Sequence, residues 1–179
     1  MKRRHFVSGF LAAPLWSATP IRLRRTDGLS EVVDPQASRA TVLLFLSTVC
    51  PISNAYQDRI QALLREFAGQ PVRFLLINAN DNESAAETQQ YAEDVKFPVP
   101  FYKDWRNTVA DRFGATMTPE AVVLDAGGAS RYQGGIDDAR NPARVKVAAL
   151  QIAVADLLAG RPVSVKPIRA FGCAIKKVN

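Results

Sequence analysis

A chain of 179 residues, 47% hydrophobic and 22% charged, can bury an ordinary core and is short enough to form one modest domain. Its net charge of +6 does not signal a nucleic-acid partner, because Lys2, Arg3, Arg4, Arg22, Arg24 and Arg25 all precede the first acid, Asp27, and account for the whole excess. The remainder is neutral, whereas phosphate binding needs a clustered basic face on the folded part.

The first residues carry the pattern of an export signal: a basic start, Met1-Lys-Arg-Arg4, and an apolar stretch from Phe6 to Trp16. Arg3-Arg4-His5-Phe6-Val7 resembles the twin-arginine pattern of bacterial signals that export folded proteins, with Lys2 in place of the usual hydroxyl residue. Small residues near Ser17, Ala18 and Thr19 offer a cleavage site; a frayed basic terminus is the alternative. The stretch is too short to cross a bilayer as an ordinary helix, so membrane contact is expected only through an uncleaved signal. The expected organisation is a leader over 1–19, a linker or N-terminal strand over 20–40, a folded domain over 41–160 and a tail over 161–179.

The apolar run Thr41–Leu46 predicts a buried strand, and a helical pattern begins just after Cys50-Pro51. Cys50 therefore stands at a strand-to-helix junction. Unpaired first-turn amides and the positive end of the helix macrodipole favour thiolate over thiol there, which makes such a cysteine reactive. Pro51 suits the first turn, where its missing N–H costs nothing. Ile60, Leu63, Leu64 and Phe67 recur at helical spacing until Gly69 stops the helix. Val72–Ile77 reads as a second buried strand, and a right-handed crossover makes the two parallel.

Asn78–Glu83 is a polar loop, and Ser84 with Glu87 forms a capping-box pattern opening a helix to about Tyr91. Two prolines keep Phe97–Phe101 extended. Asp104 caps a helix through Trp105, Val109 and Phe113 that Gly114 ends. Met117-Thr118-Pro119 leads directly into the strand Ala121–Leu124; a Gly-rich turn over 125–128 and a strand around Arg131–Gln133 complete a hairpin. Asn141-Pro142 opens the last helix, with Val145, Ala149, Ile152 and Leu157 on its apolar face and Gly160 as its stop. The tail is rich in proline and lysine apart from Phe171–Ile175, which suggests a mobile arm.

Export would place Cys50 and Cys173 in an oxidising compartment. A structural disulfide closing that long loop would stabilise the fold by on the order of 5 kcal/mol in the chain-entropy model. A redox-active pair fits equally, and the helix-start position of Cys50 favours it. His5, the sole histidine, lies in the leader, so the domain has no Cys-His or Ser-His-Asp arrangement. A copper carrier would want a second cysteine near Cys50 and a later histidine. No metal or cofactor is expected, copper(I) on the two cysteines alone being the residual alternative. Asp137-Asp138, at the start of a loop, is expected to be solvated.

This order of elements resembles the thioredoxin-like superfamily over roughly Ala40 to Gly160. The resemblance implies an α/β fold: a central mixed sheet, flanking helices and an X-Pro cis peptide bond facing the reactive cysteine, which Thr118-Pro119 matches. Cys50-Pro51-Ile52-Ser53-Asn54-Ala55-Tyr56, Thr118-Pro119-Glu120-Ala121, Tyr132-Gln133-Gly134-Gly135-Ile136-Asp137-Asp138 and Gly172-Cys173-Ala174-Ile175 more closely resemble the bacterial redoxin group, labelled alkyl hydroperoxide reductase/thiol-specific antioxidant-like.

That resemblance implies an exported thiol-disulfide oxidoreductase acting on protein or low-molecular-weight thiols and disulfides. Cys50 would be the nucleophile, Ser53 and the first-turn amides its support, and Thr118-Pro119 the segment that aligns a partner's backbone. Ser53 occupies the place of the second thiol of a Cys-x-x-Cys motif, so Cys173 is the only internal resolving thiol. A thiol peroxidase acting on peroxide is the alternative. Ser47 supplies the hydroxyl expected three residues before its cysteine; Leu43 replaces the upstream proline, and only Arg131 could stand in for the peroxide-binding arginine. A non-catalytic binding module with a structural Cys50–Cys173 disulfide is the rival from another class.

Overall fold

The computed structural model describes residues 19–178, so the expected leader, Thr19 apart, lies outside the described residues. Where the sequence suggests a linker or one strand there are two, β1 (Ile21–Arg25) and β2 (Ser30–Val33), paired antiparallel. Ile21, Leu23 and Val33 explain the pairing: they bury one face of the hairpin, where Glu31 opposite Leu23 accepts the Tyr102 hydroxyl at 2.7 Å, while Arg22, Arg24 and Val32 point away.

The centre of the sheet is built from continuous apolar runs, as strands covered on both faces require. β3 (Ala40–Phe45) and β4 (Val72–Asn78) lie parallel, in register from Ala40↔Val72 to Phe45↔Ile77. Between them run α1 (Pro51–Ala55) and α2 (Gln57–Glu66). After β4 come α3 (Ala85–Val95), opened by the Ser84/Glu87 capping box, and β5 (Phe101–Lys103), parallel to β4. Next are α4 (Thr108–Phe113), the two-residue β6 (Met117–Thr118), β7 (Glu120–Asp125) and β8 (Ser130–Gly134). The chain closes with α5 (Ala149–Leu158) and the two-residue β9 (Cys173–Ala174). The mixed sheet has the order β2-β1-β5-β4-β3-β7-β8, and β6 pairs with β9 beside it.

Alternation along the central strands divides the core in two. Val42, Leu44, Leu76 and Val123 face Ile60, Leu63 and Leu64 of α2 and Leu150, Ala153 and Val154 of α5. Leu43, Phe45, Leu75, Ile77 and Val122 face the opposite layer, where Val109 and Ala110 of α4 lie. Each fully buried Leu, Ile or Phe side chain contributes roughly 2 kcal/mol. Among the described residues, no helix is long and apolar enough to cross a membrane.

Four elements depart from the sequence pattern. The helix expected from Asp104 starts only at Thr108, after Arg106 and Asn107 at positive φ, although Asp104 does accept the amides of Val109 and Ala110 at its start. The helix after Cys50 breaks at Tyr56, which is buried and donates its hydroxyl to Asp137 Oδ1 at 2.8 Å. The last helix begins at Ala149, not Asn141, because Asp138 accepts the N–H groups of Lys146 and Val147 at 2.9 and 3.1 Å and pins the segment before it. The tail is docked rather than mobile. Asp156 near the end of α5 accepts Ser164 Oγ and N at 2.6 and 2.9 Å and pairs with Arg161 at 2.8 Å; these bonds hold its carboxyl down to about 2.

Candidate active site

Cys50 caps the N-terminus of α1, with Pro51 at the first helical position. The Ser53 N–H points at Cys50 Sγ, 3.5 Å away, and Asn54 N–H donates to Cys50 O at 3.0 Å. Because α1 has five residues and ends at the Tyr56 break, the field at Sγ comes chiefly from these local amides, not from a long aligned dipole. The Ser53 contribution is its backbone: its Oγ instead accepts Ser47 N–H at 3.3 Å.

Ser47 sets the turn that presents Cys50. Its hydroxyl oxygen accepts Cys50 N–H at 3.0 Å and Val49 N–H at 3.3 Å, and its proton goes to Glu83 Oε1 at 2.6 Å. Glu83 Oε2 also accepts Thr48 N, Thr48 Oγ1 and Asn78 Nδ2 at 2.6, 2.6 and 2.8 Å. A buried carboxylate needs such company, since an unpaired one costs several kcal/mol. Glu83 in turn makes the loop before Cys50 a fixed object.

Across from Cys50 lies the Thr118-Pro119 peptide bond, which is cis. Thr118 O is 3.3 Å from Cys50 Sγ. Glu120 braces this loop from behind: its Oε2 accepts Thr116 N and Met117 N at 2.8 and 2.9 Å, and its Oε1 accepts Gln133 Nε2 at 2.9 Å.

Cys173 completes the site from the tail. It is disulfide-bonded to Cys50 with the Cα atoms 6.0 Å apart, within ordinary disulfide geometry. Two features of the chain bring it there. Cys173 pairs with Thr118 in the β6–β9 ladder, and Gly172 lies so close to the cis loop that a Cβ on it would fall 2.0 Å from Thr118 O. Cys50 is 1% exposed and Cys173 only partly covered.

The structure thus gathers Cys50, Pro51, Ser53, Ser47, Thr118, Pro119 and Cys173 at one point. Arg131 is not among them, being half exposed on the hairpin and paired with Asp125 at 2.5 Å. Asp137, expected in water, is 3% exposed; it joins Tyr56 to Arg59, whose Nη1 lies 2.7 Å from Oδ2 and whose guanidinium stacks 3.5 Å over the Tyr56 ring. Burial, with Asp137 as acceptor, pushes the Tyr56 hydroxyl far above its ordinary range. Sequence gives Glu83 no role, and it shows Glu120 and Gly172 only as members of the Thr118-Pro119-Glu120-Ala121 and Gly172-Cys173-Ala174-Ile175 motifs. A glutamate ending a polar loop carries no mark of its partner 36 residues away. Among the described residues, no group of three or more His, Cys, Asp or Glu is placed to hold a metal.

A cysteine at a strand-to-helix junction, a facing cis-proline and a mixed sheet flanked by helices define the thioredoxin-like class. The AhpC/TSA family model matches residues 17–133, and the chain belongs to that family. Membership places it among redox enzymes. It is similar to an uncharacterised conserved protein from Geobacillus kaustophilus, at 30% identity with 89% of each chain covered and a TM-score of 0.80. A hypothetical protein from Sinorhizobium meliloti is similar at 26% identity, covering 90% of this chain and 93% of that one, with a TM-score of 0.81. A secreted disulfide oxidoreductase of Mycobacterium tuberculosis, homologous to DsbE of E. coli, shares the fold at 17% identity, with 83% and 99% covered and a TM-score of 0.55. No curated protein sequence matches the chain.

Proposed function

We propose that this protein is an exported thiol-disulfide oxidoreductase with Cys50 as nucleophile and Cys173 as resolving thiol. The observation that carries the reading is the bond between Cys50 and a cysteine 123 residues away, formed where a cis-proline loop and a set of local amides meet. In the reducing direction, the Cys50 thiolate attacks one sulfur of a substrate disulfide, and the other sulfur leaves as a thiolate. Cys173, deprotonated, then attacks Cys50 Sγ and expels the second substrate thiolate. Two protons from solvent complete two thiols, and the enzyme is left oxidised. Thr118 and Pro119 lie beside the sulfurs, where they would align a partner's backbone.

The reading requires an acidic Cys50. In reduced Cys173→Ser protein, alkylation rate against pH is expected to inflect below about 8.5, the value of a free cysteine. An inflection at or above that value would remove Cys50 as nucleophile and favour a binding module with a structural disulfide.

Family membership favours one second reading, a thiol peroxidase. Peroxide would oxidise the Cys50 thiolate to a sulfenic acid, releasing water or an alcohol, and Cys173 would condense with it to a disulfide and a second water. The Ser47 hydroxyl, the group expected to meet peroxide, donates to Glu83, and Arg131 is engaged with Asp125. Disulfide exchange therefore ranks first.

Export rests on Arg3-Arg4 and the apolar run behind them. Replacing both arginines by lysine is expected to hold the protein in the cytoplasm of its host, measured by fractionation. Unchanged periplasmic yield would rule out the twin-arginine route.

A further inference from the structure

The segment that carries Cys173 is fastened on both sides of it. Upstream, Gly135 N–H donates to Ile168 O at 2.8 Å, and a Cβ at Gly134 would fall 2.2 Å from that same oxygen. Downstream, Ile175 is buried and donates its N–H to Thr116 O at 2.9 Å. Beyond it, two buried asparagines hold the backbone as a neighbouring strand would. Asn80 Oδ1 accepts Lys176 N–H at 2.9 Å, and Asn107 Oδ1 accepts Val178 N–H at 2.8 Å. Lys176 O accepts Asp81 N–H at 2.9 Å and Asn107 Nδ2 at 3.4 Å.

The placement of Asn80 gives this clip its meaning. Loop 78–83 carries Asn80 and Asp81 on the tail side and Glu83 on the side of the Cys50 turn, where Glu83 holds Ser47 and Thr48. One short loop therefore touches the segment bearing each cysteine. None of these contacts passes through the S–S bond, so reduction leaves every one of them available.

Resting on the reading of Cys50 and Cys173 as an exchanging pair, we propose that Asn80 is a positioning residue: its clip keeps the Cys173 segment docked beside Cys50 in the reduced protein. The resolving step is then a side-chain rotation at a docked strand, not the return of a free arm. A docked thiol has a high effective concentration, which draws the equilibrium with external thiols toward the oxidised enzyme.

Two measurements on the full chain test this. Amide hydrogen exchange on reduced wild type should keep Ile175, Lys176 and Val178 protected; exchange at the rate of an open chain would overturn the proposal. Asn80→Ala removes one acceptor but leaves the backbone bonds Asn80 makes to Asn78 Oδ1 and Lys103 Nζ. Reduced Asn80→Ala should lose protection at Lys176 and Val178 roughly fivefold to tenfold, the worth of one lost hydrogen bond to a buried donor, and the equilibrium of the Cys50–Cys173 disulfide with glutathione should fall by no more than that, in step with the undocking. The alkylation midpoint of Cys50 should not move. Wild-type protection in the reduced variant, or a shift of the midpoint that accounts for the whole change in equilibrium, would overturn the proposal. Neither readout requires turnover, so an ordinary Cys50 acidity would defeat the enzymatic reading while leaving the docking result to stand or fall alone.

Discussion

Cys173→Ser is expected to leave Cys50 able to react once and unable to complete the cycle. After oxidation the variant should accumulate a mixed disulfide with the substrate or with glutathione, or a sulfenic acid if peroxide is the oxidant, all visible as mass additions on the Cys50 peptide. Multiple turnover should fall on the order of 100-fold, because a thiol from solution replaces one held in place, and preoriented groups act at effective molarities far above any solution thiol. The expectation follows from the distances: Ser53 holds the position where a local second thiol would stand, and Cys173 Cα is 6.0 Å from Cys50 Cα. The same experiment separates the two chemistries. A mixed disulfide formed rapidly with disulfide substrates, with slow reaction toward hydroperoxides, supports exchange; the reverse order of rates supports the peroxidase. Turnover unaffected by Cys173→Ser would show that the resolving thiol comes from another molecule.

How far the site was legible follows from the range of the interactions that build it. β3, β4 and β7 carry the unbroken apolar runs Val42–Phe45, Phe74–Ile77 and Ala121–Leu124, because strands covered on both faces have no polar side to show there, and such runs stand out in sequence. The Cys50-Pro51 junction is equally local. The cysteine's position, its amide donors and the proline belong to five consecutive residues. Pattern reading fails where a single polar side chain reaches across the molecule. Asp137 sits next to a loop and reads as solvated, yet it meets Tyr56 and Arg59 from 81 and 78 residues away. Asp138 similarly delays the last helix by holding two amides eight and nine residues on. Composition misleads for the tail as well. Its prolines and lysines suggest an arm in solvent, but the side chains of Asp156, Asn80 and Asn107 dock it, largely through its backbone, and composition records neither those partners nor that backbone.

Gly172→Ala should produce the second large effect, and it isolates docking from thiol chemistry because no sulfur is changed. The added Cβ would lie 2.0 Å from Thr118 O, 2.8 Å from Thr118 C and 3.2 Å from Pro119 Cδ. Two of the three atoms are backbone, and that backbone is held from the other side by Glu120 through the amides of Thr116 and Met117. The cis loop therefore cannot retreat cheaply, and the tail must lift instead. Lifting breaks the Thr118↔Cys173 register and carries Cys173 away from Cys50. Overpacking of this kind costs about 1–3 kcal/mol, so the disulfide equilibrium with glutathione should fall about tenfold to a hundredfold. Reduced Gly172→Ala should keep the wild-type alkylation profile of Cys50, since Ser47, Ser53 and Glu83 are untouched. Ala174→Ser, at an exposed position in the same short strand, serves as the control and should leave the equilibrium unchanged. Wild-type disulfide formation in Gly172→Ala would mean that the tail can reach Cys50 by another path, and that its pairing with the cis-proline loop does not direct the resolving thiol.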